Sequence, residues 1–345
     1  MVKIDWLVSN PDPSIGSYRI WIKDANKVMQ EFGIDSIIPG MPNGRFNFRD
    51  DSAIILSKGD AHLSKTITTD MRKKHGLIVG AINVALPMSA DDVLPLDFVI
   101  VGSTEEKISL QEFYNNVFIV NLIENIYSDK LLKKHEDKDC INIGYHGWHP
   151  HLKTLNYWGA PKVFEEINKH KKVKITTVTD DPKKANKVFL EMSIPESIEV
   201  DHKKWEYSSV TKDIESFDVC LVPNAKDISQ EINLIEDPSS GLYKTDYVFR
   251  FKNKSNPGRA FVAYQLGIPV ITDLTPSNMP MLHDEQCGFI VNGTNSFYRS
   301  LMILLSAQNR DTVSRKAQKR FNRVYSFKKD LLQLVEEIKI IKERT

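Results

Sequence analysis

The chain has 345 residues, of which 41% are hydrophobic and 26% charged, and its formal net charge is +1. That length suits two domains rather than one, and the near-neutral balance removes the electrostatic case for a nucleic-acid partner. The three cysteines, Cys140, Cys220 and Cys287, are widely spaced and odd in number. They fit neither a disulfide framework nor a zinc knuckle and point to a reducing compartment.

The opening, MVKIDWLVSNPDPS, is a short apolar run that soon meets turn residues, so it reads as a first strand rather than a signal peptide. No apolar run approaches the roughly 20 residues of a membrane span. The expectation is a cytoplasmic protein that touches a membrane, if at all, from its inner face. After a loop at 9–17, YRIWIKDANKVMQEFG sets Ile20, Ile22, Ala25, Val28, Met29 and Phe32 at mainly helical spacing, with Gly33 as the stop. DSIIP, SAIILS, GLIVGAINVAL, DFVIVGS and NVFIVNLIEN follow as buried strands of a first α/β unit. SDKLLKKHEDKDC, residues 128–140, is polar and aperiodic and reads as a linker.

A second strand–loop–helix unit begins at INIGYHGWHPHLKTLNYWGAPKVFEEINKH and continues through the runs VKITTVT, KVFLEMS, FDVCLVP, VAYQLGIPVI and GFIVN. The tail SFKKDLLQLVEEIKIIKERT places Leu331, Leu332, Leu334, Val335, Ile338 and Ile341 largely on one side of a helix. Alternating strand and helix signals imply two doubly wound, parallel-sheet domains. In such sheets ligands gather at the carboxyl ends of the strands.

The stretch KSNPGRAFVAYQLGIPVITD, residues 254–273, carries the most chemistry. Ser255 or Asn256 suits the helix cap, Pro257 the first helical position, and Gly258 leaves the amides uncovered. Such a helix start favours a phosphate, and Lys252, Lys254 and Arg259 add full charges nearby. The same residues also suit a well-capped crossover helix with solvated cations. Gly267 closes the helix before the strand VIT.

This segment resembles the C-terminal-domain signature of nucleotide-sugar glycosyltransferases of the two-Rossmann GT-B architecture, especially the retaining family 4 of bacterial surface-polysaccharide synthesis. VAYQLGIPVI, from Val262 to Ile271, is similar to that family's E-A-x-A-x-G-x-P-V-I. FDVCLVPN (217–224), INIGYHGWHPHL (141–152) and LVSNPDPSIGSYRIWI (7–22) resemble three further family segments, in the family's order. The resemblance implies an N-terminal acceptor-binding domain at 1–130 and a C-terminal nucleotide-sugar domain at 140–325. A helix at 326–345 would pack back on the first domain, and the two domains would face a cleft. It implies sugar transfer from a nucleotide diphosphate sugar to a glycan or lipid-linked hydroxyl acceptor. No metal and no other cofactor would be required, and the departing phosphate would help deprotonate the acceptor.

Carried onto this chain, Lys254 and Arg259 are the expected catalytic cations. Gly16, Ser17, His146, Gly147, Pro223, Asn224, Lys252, Ser255, Asn256 and Gly258 are the expected donor contacts. Arg19, Asp91 and Glu124 are the expected acceptor contacts, with Ser17 as a helix cap and Gly16 baring backbone amides. The chain departs from the family at two places where glutamates stand, which here are Lys254 and Val262. Asp246, Asp273 and Glu285 are the nearby carboxylates that suit a replacement. A sugar-nucleotide epimerase shares the fold and is one alternative, and that departure keeps open an inactive glycan-binding scaffold. The histidines of Tyr145–His151 lack an acidic or cysteine partner at ligand spacing, and Asp137-Lys138-Asp139 reads as a solvated charge run rather than a metal motif.

Overall fold

The computed structural model describes residues 2–40, 47–128, 130–227, 249–251, 257–282 and 286–344. Contacts divide the chain into two compact units, Met1–Asn125 with Tyr325–Thr345, and Ile126–Val324.

The first unit is built on six parallel strands: β1 (Lys3–Leu7), β2 (Asp35–Ile37), β3 (Ser52–Leu56), β4 (Ile78–Ile82), β5 (Phe98–Val101) and β6 (Val117–Ile119). Their order is β2-β1-β3-β4-β5-β6. Every residue of β3, β4 and β5 is buried, because helices cover both faces of a parallel sheet. This is why those strands read as unbroken apolar runs. Helices α1 (Gly16–Tyr18), α2 (Ala25–Glu31), α3 (Thr69–His75) and α4 (Thr104–Leu110) complete the crossovers.

Between α1 and α2 the expected ordinary helix is replaced by a π-helix, Arg19–Asp24, which buries Arg19, Ile20, Trp21 and Ile22 in succession. Four consecutive inward residues do not fit the single stripe of a 3.6-residue helix, and the wider turn accommodates them. The Trp21 indole N–H then reaches the Val120 carbonyl at 3.0 Å. Gly33 ends this helical region with φ +72, the left-handed turn its sequence position suggested.

The second unit holds β7 (Cys140–Gly147), β8 (Lys172–Thr179), β9 (Glu199–Lys204), β10 (Val219–Val222), β11 (Ala225–Asp227), β12 (Phe249–Phe251), β13 (Val270–Thr272) and β14 (Phe289–Ile290). Six of these form a parallel sheet of order β14-β13-β10-β7-β8-β9, while β11 and β12 pair antiparallel. The chain runs from β7 outward to β9 and then returns to lay β10, β13 and β14 on the other side. The winding therefore reverses between β7 and β10, and the crevice at their carboxyl ends is the place where such sheets bind ligands. Its helices are α5 (Thr154–Tyr157), α6 (Ala160–Asn168), α7 (Pro182–Glu191), α8 (Val210–Glu215), α9 (Gly258–Leu266), α10 (Met279–Leu282), α11 (Thr294–Leu304) and α12 (Ala307–Val324).

Two readings change here. KVFLEMS falls largely within α7, and the strand that follows is the charged segment EVDHKK of β9. An edge strand is paired on one side only and needs no apolar run. Lys174 on β8 instead reaches Glu199 on β9 at 2.8 Å. The linker at 128–140 is also more than a solvated tether. His135 is buried, donates from Nε2 to the Gly267 carbonyl at 3.0 Å, and accepts at Nδ1 from Arg310 at 3.3 Å. Lys133 lies 3.2 Å from Asp218, and Asp137 accepts the Ala307 amide at the start of α12. These partners are 85 to 175 residues away in sequence (Lys133 to Asp218 is the nearest), so the linker's composition carried no sign of them.

The closing helix, α13 (Phe327–Arg344), belongs to the first unit. It buries Leu331, Leu334, Val335, Ile338 and Ile341 of the stripe its periodicity indicated, while Leu332, about 100° round the helix from Leu331, is exposed. Asp330 near its start accepts the Asn121 backbone amide at 3.0 Å and side-chain amide at 2.8 Å.

Candidate functional site: a guanidinium at the strand switch

Arg259 stands in the first turn of α9, at the carboxyl ends of β7 and β10. Its Nη2 donates to the Pro223 carbonyl at 2.8 Å and to Asn224 Oδ1 at 2.6 Å, just beyond β10. The same nitrogen lies 3.4 Å from His151 Nδ1, and Nη1 donates to the Tyr145 hydroxyl at 3.3 Å. The guanidinium carbon sits 5.7 Å from the Tyr145 ring centroid, within cation–π range. The two carbonyl oxygens carry no charge, and burial pushes the Tyr145 phenol up to about 12 against the pull of Arg259, so it is neutral near pH 7 as well. Among the described residues no carboxylate forms an ion pair with Arg259, and its Nε has no acceptor. A half-buried cation that no described carboxylate pairs retains its charge for an anion.

The cradle is itself fixed. Asn224 is 2% exposed, and its amide nitrogen donates to the Val222 carbonyl at 3.1 Å and to Thr272 Oγ1 at 3.3 Å. That orientation turns Oδ1 toward Arg259. Asp273, at the end of β13, accepts the Asn224 backbone amide at 2.6 Å. Asn278 donates to Thr272 Oγ1 at 3.0 Å, which closes the network. His146 is 6% exposed and donates from Nε2 to the Arg259 carbonyl at 3.0 Å, tying the end of β7 to the start of α9. Burial lowers its pKa to about 4, so the ring is neutral near pH 7 and acts as a donor.

Gly147 ends β7 with φ +131, and a Cβ placed there would lie 2.8 Å from Arg259 Cδ and 3.2 Å from the Tyr145 hydroxyl. Glycine is required both by the backbone angle and by the passage of the arginine stem. Gly267 closes α9 with φ +73. Pro257 is the N-cap of α9 rather than its first helical residue, because its carbonyl already accepts the Phe261 amide at 3.1 Å. Val262, where the family carries a glutamate, is 2% exposed inside α9, a position that suits an apolar side chain.

The structure thus brings His146, Gly147, Pro223, Asn224, Gly258 and Arg259 together. Lys252, Lys254, Ser255 and Asn256 lie outside the described residues, as do Asp246 and Glu285. Sequence reasoning passed over the contribution of Tyr145, His151 and Thr272, whose types have no special meaning until the chain is wound. Among the described residues no three His, Cys, Asp or Glu side chains converge as metal ligands. The three neighbouring histidines go separate ways: His149 to Asp180 at 3.0 Å, His146 and His151 to Arg259. Burial pushes the Cys220 thiol up to about 12, which rules out a thiolate there at neutral pH.

The expected residues of the first unit form a separate group. Arg19 and Glu124 meet in an ion pair at 2.7 Å, and Arg19 Nη1 also donates to the Pro13 carbonyl at 2.8 Å. Burial raises the Glu124 carboxyl despite Arg19 beside it. Ser17 does not cap its helix. Asp12 has already closed the loop by accepting the Ser14 amide at 2.8 Å, and Ile15 is the N-cap. Gly16 has only Arg19 Nη2 near its Cβ position, at 3.9 Å. Asp91 is exposed in a 3-10 turn, Ala90–Asp92, that a Ser89–Asp92 capping box closes.

No protein-family model matches the chain, and no curated protein matches its sequence. Solved structures do match it. The chain is similar to a glycosyltransferase from Rickettsia africae, with TM-score 0.60 and 12% identity over 100% of this chain and 99% of that one. It is similar to Anabaena HepE in complex with UDP and glucose, with TM-score 0.58 and 10% identity over 98% and 100%. It is similar to S. aureus TarM in complex with fondaparinux, α-GlcNAc-glycerol and UDP, with TM-score 0.56 and 12% identity over 84% of this chain. The match spans only 55% of TarM. The fold is that of the GT-B glycosyltransferases. Within the GT-B fold, the Arg259 cradle occupies the winding reversal of the second unit's sheet.

Proposed function

We propose that the chain transfers a sugar from a nucleoside diphosphate sugar to a hydroxyl acceptor, with the second unit holding the donor. The observation that carries this reading is Arg259: a cation at the sheet's switch point, fixed by four partners and matched by no carboxylate among the described residues. The α/β sheet places its ligand site there, and a diphosphate is the anion that a guanidinium beside a helix start receives best. HepE and TarM, which share the fold, are each in complex with UDP.

As the glycosidic bond breaks, negative charge grows on the leaving diphosphate. Arg259 and the first turn of α9 meet that charge without moving, because Asn224, Tyr145 and His146 already hold them. In this reading Lys252 and Lys254 add to the same field, and the charge is met without a divalent ion. His146 is not the base, since its pKa is low and its N–H is committed to a carbonyl. The departing phosphate then takes the acceptor proton, which accords with retention of configuration and with the family-4-like segment 262–271. Cell-surface glycan synthesis from the cytoplasmic side, at the inner face of the membrane and with a glycan or lipid-linked acceptor, completes the proposal. Among the described residues no helix is long and apolar enough to cross a membrane.

The test is a thermal-shift panel of nucleoside diphosphates, since a ligand of the native state raises its stability. UDP should stabilise the wild-type chain and leave Arg259→Ala unmoved, while turnover of the sugar nucleotide falls at least about tenfold in that variant. Stabilisation of both proteins to the same extent would remove Arg259 from the donor site.

A further inference from the structure

Trp148 is the first residue after β7, and its side chain is 58% exposed, whereas Trp6, Trp21 and Trp158 are all at most 2% exposed. The ring is held despite its exposure. Its backbone carbonyl accepts the Tyr145 hydroxyl at 2.7 Å. The imidazoles of His149 and His151 meet it edge-on, with centroids 6.1 and 5.8 Å away and planes tilted by 64° and 66°. His149 is in turn pinned by Asp180, which lies 3.0 Å from both its backbone nitrogen and its Nδ1.

Two of these supports are shared. Tyr145 and His151 hold Trp148, and the same two side chains contact the Arg259 guanidinium. An exposed aromatic ring and a cation that no described carboxylate pairs are therefore kept at one spacing by common anchors. An indole with a free face stacks on flat or slab-like rings, and the preset geometry lowers the ordering cost of doing so.

We infer that Trp148 is a stacking subsite for the ring carried on the diphosphate that Arg259 binds. The inference rests on the donor-site reading above and adds a ring contact to it. The ring is either the nucleobase or the transferred sugar, which share this chemistry, and the probes separate them.

The experiment measures calorimetric affinity of the full chain for inorganic pyrophosphate, UDP and UDP-glucose, in the wild type, Trp148→Ala, Trp148→Phe and Arg259→Ala. Circular dichroism checks that each variant is folded. Trp148→Ala should weaken ring-bearing ligands by at least about tenfold and leave pyrophosphate unchanged. Trp148→Phe, which keeps a ring face, should stay within about threefold of the wild type. A loss already present with UDP assigns the nucleobase, and a loss seen only with UDP-glucose assigns the sugar. Equal affinities of the wild type and Trp148→Ala for both ring-bearing probes overturn the subsite. So does a matching loss for pyrophosphate, or an equal loss in the Phe and Ala variants. If UDP binding depends on Arg259 but not on Trp148, the stacking idea alone falls. If the wild type binds none of the three probes, the donor-site reading falls with it.

Discussion

His146 offers a quantitative test of how α9 is held against β7. The ring is buried, its Nε2–H donates to the Arg259 carbonyl at 3.0 Å, and burial lowers its pKa from an ordinary 6.5 to about 4. Between those values the unfolded chain takes up a proton that the native state refuses. The unfolded state then binds more protons, so stability falls as pH falls. The contribution is fully present above pH 6.5 and lost progressively down to about pH 4. At about 1.4 kcal/mol per pH unit the full span is worth roughly 3 kcal/mol, and about 2 kcal/mol is already gone at pH 5. His146→Gln removes the titration and keeps an N–H donor for the Arg259 carbonyl. Urea denaturation of both proteins at pH 7.5, 5 and 4 gives the comparison. The wild type should lose about 2 to 3 kcal/mol relative to the variant across that range. Parallel stability curves would show that His146 is not a buried neutral donor, and the anchoring argument would fail.

Three further outcomes are expected. Gly147→Ala should cost about 1–3 kcal/mol through its φ of +131. By pushing the Arg259 stem aside, it should also weaken UDP binding about tenfold; calorimetry showing native affinity would sink the argument. Asp273→Asn removes the charge from the 2.6 Å bond to the Asn224 amide, and should weaken UDP binding about fivefold with little change in fold. The same affinity in both proteins would show that Asn224 needs no such support. Arg19→Ala and Glu124→Ala should each destabilise by about 3 kcal/mol, yet the double variant should lose far less than the sum. Additive losses in a denaturation cycle would mean that the 2.7 Å pair carries no coupling.

Some of this was legible in the residues alone. Runs such as SAIIL and FVIV are strands because β-branched and aromatic side chains suit a pleated sheet covered on both faces. Gly33 and Gly267 end helices because each sits where the chain must turn left-handed. The stripe on α13 is a local periodicity, and it buried the residues it should, Leu332 apart. These features depend on neighbours within about one or two helical turns, which is the range over which sequence patterns speak.

The site answers to a different range. Arg259 acquires its meaning from Tyr145, His151, Pro223 and Asn224, which lie 114, 108, 36 and 35 residues away. Arg19 finds Glu124 across 105 residues, and His135 and Arg310 meet across 175. The charged strand EVDHKK and the π-turn at Arg19–Asp24 have no signature of their own, because an edge pairing and a packing demand imposed them. Local chemistry decided which segments become strands and helices and where a cation opens α9. Only the winding of the sheet, by bringing distant partners around that cation and leaving its charge unmatched among the described residues, decided that it is poised for an anion.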